Sequence, residues 1–354
     1  MTEILKINPQ KPELSLIQKA AEVIRSGGLV AFPTETVYGL GGNAFDPQAV
    51  QHIFLAKGRP ANDPLIVHIL NETWLEKVTT SFPPKTEVLV HRFWPGPLTL
   101  IFPRNPAIPP NVTAGGNSVA VRAPSHPVAQ ALLKAAGLPI AAPSANRFGH
   151  TSPTQAAHVY ADLANRIDLI LDGGECPIGL ESTVLDLTRE PPVILRPGGI
   201  PREEIERVIG TVHLADKDQN GEKKDYLPSP GMLDRHYSPH STLILIENIS
   251  GSRENAIQKI IEYLRHVQKD DQKRIGILTV DEEAHYFNVY QELEIISLGS
   301  LENLDQVGRN LFAGMRTLEQ AGVDLILTTD YGEKGLGLAI RDRLRRAASQ
   351  IIPA

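Results

Sequence analysis

Four fixed positive charges stand beside glycine and proline in the N-terminal part of the chain. Lys57 and Arg59 lie two apart in KGRPANDP, a loop shaped by Gly58 and Pro60, and the apolar run PLIVHI follows at once. Arg122 ends SVAVR just before Ala123-Pro124, and Arg196 ends VILR just before Pro197-Gly198-Gly199. The ends of buried strands in an α/β sheet converge on one crevice. An arginine placed there is desolvated at a cost unless something anionic meets it. Guanidinium forks match phosphate and carboxylate oxygens, and a lysine adds a point charge. The implied ligand is a phosphorylated or carboxylated small molecule.

Hydroxyls and amides recur at the same positions. PTET offers Thr34 and Thr36, NVTAGGNS offers Thr113 and Ser118, and APSAN offers Ser144 and Asn146. GHTSPT adds Ser152, and GLESTVLD offers Ser182 and Thr183. A helix cap or turn bond is the plainer reading of Thr36 and Thr183. In APSANRFGHTSPT the glycine and hydroxyls suit a loop whose backbone must approach a ligand. His68, inside an apolar strand, reads first as a hydrogen-bonded core histidine and second as a ligand contact. No phosphate loop of the G-x-x-x-x-G-K-[ST] type, H-E-x-x-H, paired-cysteine pattern or G-x-S-x-G elbow occurs. GEKGLGLA fits no phosphate-loop template and reads as a strand-to-helix turn.

The elements that must position these residues are mixed. ELSLIQKAAEVIR is helical, with Leu16, Ala20 and Val23 recurring at helical spacing and Gly27-Gly28 closing it. LVAF reads as a strand and PTETVYGLGGNA as a turn-rich continuation. PQAVQHIFLAK returns to helical periodicity, with Val50, Ile53 and Phe54 on one face. PLIVHIL, LTLIFP, SVAVRAP, LPIAAPSA, LILDGG, STVLDL and PVILRPGG are short branched runs closed by Gly, Pro or Asn. Residues 1–210 therefore read as an α/β domain with a largely buried sheet. Residues 211–240 are polar, rich in Pro and Gly and without periodicity, as a linker is. From 241 to 354 strands alternate with helices, which predicts a small doubly wound, Rossmann-like domain with a parallel sheet. IRDRLRRAAS within it reads as an exposed charged helix, either a solvated face or a contact for tRNA or protein.

The 354 residues exceed what one core accommodates, and two domains follow. A formal net charge of −6 excludes a surface built to coat nucleic acid, though a local basic cleft is compatible with it. The single cysteine, Cys176, excludes an intrachain disulfide, fits a reducing compartment and reads as a loop or core residue rather than a nucleophile. MTEILKINPQ lacks a signal-peptide pattern, and no apolar run is long enough to span a bilayer. A soluble, cytoplasmic chain is expected.

PTETVYGLG, KGRPANDPLIVHI, FWPGPLTLIF, VAVRAPSHP, APSANRFGHTSPT, LESTVLDL and ILRPGGI together resemble, in order, the signature segments of the YrdC-type threonylcarbamoyl-AMP synthases. SPGMLDRHYSPH and the appended α/β domain resemble the longer, two-domain branch of that family. The resemblance implies a twisted mixed sheet with a basic cleft. It implies formation of L-threonylcarbamoyl-adenylate and pyrophosphate from ATP, L-threonine and bicarbonate. A separate complex would then pass the threonylcarbamoyl group to tRNA. Carried over by motif, Thr34, His68, Arg122, Ala142 and Ser182 would hold threonine. Lys57, Arg59, Asp63, Thr113, Ser118, Ser144, Asn146, Ser152 and Arg196 would hold ATP, with Lys57, Arg59, Ser144 and Asn146 at the chemistry. The family's linker folds over the active site, so Arg235, His236 and Tyr237 would reach the nucleotide. Mg²⁺ is expected through the ATP phosphates, with no dedicated ligand cluster. Such chemistry needs positioning and electrostatics rather than a nucleophile.

Two other readings stand beside this one. A basic cleft that grips RNA without chemistry would bind with steep salt dependence and no ATP consumption. A carbamoyl-transfer domain of the hydrogenase-maturation type shares the first-domain pattern, but its larger relatives carry a cysteine set that a chain with Cys176 alone lacks.

Overall fold

The computed structural model describes residues 1–215, 236–248, 251–267 and 273–354. The chain forms two compact units. The first comprises residues 1–148, 152–177 and 181–232, and the second comprises 149–151, 178–180 and 233–354.

In the first unit eleven strands form one twisted mixed sheet. They are β1 (Glu3–Lys6), β2 (Val30–Phe32), β3 (Gly39–Asn43), β4 (Ile66–His68), β5 (Leu98–Pro103), β6 (Ser118–Arg122), β7 (Ile140–Ala141), β8 (Leu169–Asp172), β9 (Thr183–Asp186), β10 (Val193–Arg196) and β11 (His213–Leu214). Their order is β1-β8-β2-β3-β7-β4-β6-β5-β9-β10-β11. β4 pairs parallel with β6, β6 antiparallel with β5, and β5 parallel with β9. The strands carrying the candidate residues are thus neighbours. The sheet runs past residue 210, because β11 pairs with β10.

Two local readings change. The helix Leu14–Arg25 buries Ile17, Ala20, Ala21 and Ile24, whereas Leu16 and Val23 only flank this stripe. Ile17, Ala21 and Ile24 pack with Val128, Leu132 and Leu133 of the helix Pro127–Ala136. GLGGN is a strand, β3, although it lacks branched residues. A Cβ at Gly41 would lie 2.7 Å from Ile140 Cγ2 and 2.8 Å from a Phe32 ring carbon, so close packing explains glycine there.

The second unit contains β12 (Thr242–Glu247), β13 (Ile275–Thr279), β14 (Leu293–Ser297), β15 (Leu325–Thr329) and β16 (Gln350–Pro353) in the order β14-β13-β15-β12-β16. Every pairing is parallel, as alternating strands and helices predict. The helix Leu304–Gln320 buries Leu311, Phe312, Met315 and Leu318 against this sheet's core. The helix Gly337–Ala347 is not the exposed charged helix expected from IRDRLRRAAS: Arg343 is fully buried and Arg346 is buried. Arg343 pairs with Asp342 at 2.6 Å and lies 4.9 Å from the centre of the Tyr237 ring. A carboxylate and an aromatic face replace the water this guanidinium loses.

Candidate active site

Strand ends place Arg122 and Arg196, and a helix end places Lys57. β4 and β6 run side by side with His68 opposite Arg122. β10 reaches Arg196 after a register irregularity against β9 between Ile194 and Arg196, a feature that re-aims a side chain. Lys57 is the last residue of the helix Pro47–Lys57. Asp46 caps its start by accepting from Gln48 N–H at 2.8 Å, Pro47 opens it, and Gly58 at φ 66° closes it. A cap of this kind contributes ~1 kcal/mol and fixes where the helix begins.

All four cations are buried: Lys57 is 1% exposed, Arg59 7%, Arg122 3% and Arg196 4%. Lys57, read from the sequence as part of the loop, is the end of a helix, and the loop begins at Gly58. The Lys57 ammonium donates to the carbonyls of Ser144 (2.5 Å) and Asn146 (2.6 Å). Burial, and next the Arg59 charge, hold its pKa well below the usual lysine value. Arg59 pairs with Asp63 at 2.9 Å and donates to the carbonyls of Asp63 (3.0 Å) and Pro64 (2.7 Å), which closes the 59–64 loop on itself.

Arg122 pairs with Glu35 at 2.6 Å and donates to Thr36 Oγ1 (2.8 Å) and the Gly96 carbonyl (3.2 Å). The Thr36 hydroxyl donates in turn to Thr34 Oγ1 at 2.7 Å, because the Thr34 proton goes to the Val37 carbonyl, also at 2.7 Å. Arg196 donates to the Ser182 carbonyl (3.0 Å) and to Ser182 Oγ (3.3 Å), and Ser182 Oγ also meets Thr99 Oγ1 at 2.7 Å. Gly198 permits this approach: a Cβ there would lie 2.3 Å from the Glu181 carbonyl oxygen and 2.4 Å from the Ser182 carbonyl carbon. His68 is buried, and desolvation with the Arg122 charge lowers its pKa to about 3, so the ring is neutral. Its Nδ1 has no hydrogen-bond partner among the described residues.

The Sua5/YciO/YrdC family model, described as telomere recombination, matches residues 22–198. A second model, described as threonylcarbamoyl-AMP synthase, C-terminal domain, matches residues 200–349. The threonylcarbamoyl-AMP synthase of Pyrococcus abyssi is 45% identical over 348 residues, covering 98% of both chains. The chain belongs to the two-domain Sua5 branch of the Sua5/YciO/YrdC family. The threonylcarbamoyl-AMP synthase of Bacillus subtilis is 46% identical over 333 residues, or 94% of this chain and 92% of the relative. The crystal structure of P. abyssi Sua5 complexed with L-threonine superposes with a TM-score of 0.91 at 44% identity, covering 100% of both chains. E. coli YciO, at 27% identity and a TM-score of 0.51, covers 56% of this chain and 96% of its own length.

Within this Sua5-type chain several of the other expected residues are tied to neighbouring segments by single bonds. Ala142 N–H bonds the Ile66 carbonyl at 2.9 Å beside His68, and Ser144 bridges Gly39. Thr113 is buried in a 3-10 turn and bonds the Gly116 carbonyl at 2.8 Å, and its neighbour Val112 accepts from Leu65 N–H. Ser152 Oγ donates to Glu181 Oε1. Ser118 stands apart from Arg122, at the opposite end of β6 and so roughly 13 Å away. Arg235 lies outside the described residues. His236 and Tyr237 belong to the second unit, where Tyr237 packs 5.6 Å from the Phe312 ring. Cys176 is buried and its thiol pKa is pushed up, chiefly by burial, as befits a core residue rather than a nucleophile.

Sequence reasoning overlooked Glu35, Glu181 and Thr99, and read Thr36 as a cap. The signal for Glu35 was present. A buried arginine demands a counter-ion, and PTET supplies a carboxylate between the two threonines. Thr183 behaves as read, donating to the Ile200 carbonyl at 2.6 Å.

Proposed function

We propose that this chain is an L-threonylcarbamoyladenylate synthase. It joins L-threonine, bicarbonate and ATP into L-threonylcarbamoyl-adenylate and pyrophosphate, supplying a separate complex that modifies tRNA. The observation that carries this is the set of buried cations and hydroxyls on adjoining strands, in a chain that aligns end to end with threonylcarbamoyl-AMP synthases. The first unit, whose sheet runs on to β11 at residue 214, carries the chemistry, and residues 241–354 belong to the appended domain.

Arg122, His68, Thr34, Ala142 and Ser182 form the threonine subsite. A guanidinium has five N–H donors. Glu35, Thr36 and Gly96 engage three of those on Arg122, and the others take the amino acid's carboxylate. The neutral His68 ring, with its open Nδ1, accepts a hydrogen bond without adding charge. Lys57, Arg59, Asp63, Thr113, Ser118, Ser144, Asn146, Ser152 and Arg196 form the nucleotide subsite. The third N–H of the Lys57 ammonium is left for a phosphate oxygen.

The reaction brings a carbamate formed on threonine's nitrogen against the α-phosphorus. Two unit negative charges about 4 Å apart repel by ~1 kcal/mol in water and ~4 kcal/mol at an effective dielectric of about 20. Fixed cations offset that repulsion and stabilise charge on the phosphoryl oxygens in the transition state. Mg²⁺ enters with the nucleotide. The buried carboxylates Asp63, Glu35 and Glu181 are engaged with Arg59, Arg122 and Ser152, so the donor set fits an ion held mainly by phosphate oxygens.

Burial of the cations argues against the RNA-binding reading, since a phosphate backbone is gripped by solvent-facing Lys and Arg. None of the described helices is long and apolar enough to cross a membrane. Incubation with ATP, labelled bicarbonate and each amino acid in turn tests the proposal. Pyrophosphate release that depends on both threonine and bicarbonate supports it. Release indifferent to threonine refutes it.

A further inference from the structure

The reaction leaves one group of ligating side chains unused. In the second unit His150, His240 and Glu319 point at one another, and their ligand atoms all lie within 4.8 Å. His150 Nε2 is 3.1 Å from Glu319 Oε2 and 3.3 Å from Oε1, and His240 Nε2 is 3.8 Å from Oε1. The two imidazoles stack with centroids 4.5 Å apart and planes 27° apart.

The surrounding bonds hold this arrangement in place. The His240 backbone N–H donates to Glu319 Oε1 at 2.7 Å, which orients the carboxylate and leaves Oε2 towards His150. Glu319 sits near the end of the helix Leu304–Gln320. Arg316 lies three residues earlier on the same face and donates to the Thr151 carbonyl at 2.6 Å. Ser238 N–H bonds the Gly149 carbonyl at 2.8 Å. Three segments distant in sequence are thus tied around the cluster. His150 is buried, Glu319 half-buried, and the His240 side chain is 82% exposed.

Two imidazole nitrogens and one carboxylate oxygen are the donors that zinc-type ions prefer. Metal–donor bonds of about 2.0–2.2 Å in tetrahedral geometry place donors roughly 3.3 Å from one another. The His150–Glu319 edge already has that length. The exposed His240 side chain closes the rest with a movement of at most about 1.5 Å, from the 4.8 Å bound to roughly 3.3 Å. We propose that His150, His240 and Glu319 bind one divalent transition ion of the zinc class, with a fourth position open to water. The ion ties residues 149–151, 236–241 and the helix Leu304–Gln320 together, which is a structural role separate from the adenylate-forming site.

The test uses the full chain without an affinity tag, stripped by chelator and titrated with Zn²⁺ in a calorimeter and with Co²⁺ by its visible d–d absorption. One ion per chain is expected, with a rise in melting temperature on Zn²⁺ addition. His240→Ala changes an exposed side chain and leaves the fold intact. It should weaken binding by at least the ~10–100-fold that loss of a supporting residue costs at metal sites. His150→Gln and Glu319→Gln should do the same, and all three should lose the Zn²⁺-dependent rise in melting temperature. The proposal is overturned if the stripped chain binds no stoichiometric ion. It is equally overturned if His240→Ala and His150→Gln keep the parent affinity, which would place the ion on other histidines. Neither readout depends on threonine or ATP, so its failure is distinct from failure of the catalytic reading.

Discussion

Glu35→Gln removes one charge from the candidate site and little else. Glu35 Oε1 lies 2.6 Å from the Arg122 guanidinium, Oε2 accepts the Ser125 N–H at 3.0 Å, and both side chains of the ion pair are buried. Glutamine keeps one acceptor of the same size and leaves the guanidinium without its counter-charge. Breaking a buried pair by removing one partner costs ~3–5 kcal/mol, and the retained acceptor sets the expectation at about 3 kcal/mol. For a unit of this size each kcal/mol moves the midpoint by about 2–4 °C, so a fall of roughly 6–12 °C is expected by calorimetry. Threonine supplies the second half of the prediction. If its carboxylate docks on Arg122, it meets Glu35 as a like charge in the parent and replaces the missing charge in the variant. Relief of about a third of the ~4 kcal/mol repulsion available at 4 Å and an effective dielectric of 20 tightens threonine binding about tenfold. Calorimetric titration reads this directly. An unmoved melting temperature would show that the pair does not compensate the buried charge. Threonine affinity that is unchanged or weaker would place its carboxylate elsewhere.

Lys57→Met, which keeps the buried aliphatic stem, should lower threonine-dependent pyrophosphate release ~10²–10³-fold, the loss typical of one fixed donor to a developing charge; near-normal turnover would remove Lys57 from the chemistry. His68 has a folded-state pKa of about 3, below its unfolded value, so the unfolded chain binds more protons between about pH 3 and 6.5 and stability falls as pH falls. Between pH 7 and 5 this amounts to about 2 kcal/mol in denaturant titrations, and His68→Gln should flatten that slope. Gly198→Ala forces a Cβ against the 181–182 backbone and should cost roughly 1–3 kcal/mol while raising the KM for substrates; an unperturbed melting temperature would show that the backbone yields there.

Much of this was legible because strand ends announce themselves. Branched apolar runs closed by Arg-Ala-Pro and Arg-Pro-Gly located Arg122 and Arg196 at the ends of β6 and β10. The alternation of strands and helices after residue 241 gave the parallel sheet of the second unit. β3 was hidden because glycine, which normally weakens a strand, is required there by Phe32 and Ile140. The burial of Arg343 and Arg346 was hidden because a charge run predicts a solvated face. What decides otherwise is Asp342 and the Tyr237 ring, and the ring comes from residues far away in sequence. The site itself was half legible. Residue types show that a buried arginine needs an anion. They do not show whether the protein or the substrate provides it.

In the structure the protein itself provides partners for all four cations, and this bears on how catalysis would be organised. Arg59 and Arg122 are each held by a protein carboxylate, and Lys57 and Arg196 by main-chain carbonyls. A cation held this way keeps its position before substrate arrives, so little reorganisation is needed when charge develops. The holding groups differ in charge, and that difference sets what each cation can do. A carboxylate neutralises most of the field of Arg59 and Arg122, which makes them suited to orienting a ligand through directed N–H bonds. Carbonyls hold Lys57 and Arg196 through partial charges, and in a dry environment such contacts are stronger than they would be in water. The depressed pKa of Lys57 reflects its burial first and the Arg59 charge second. On the proposed assignment, a phosphate group arriving at Lys57 meets an ammonium already oriented by the Ser144 and Asn146 carbonyls.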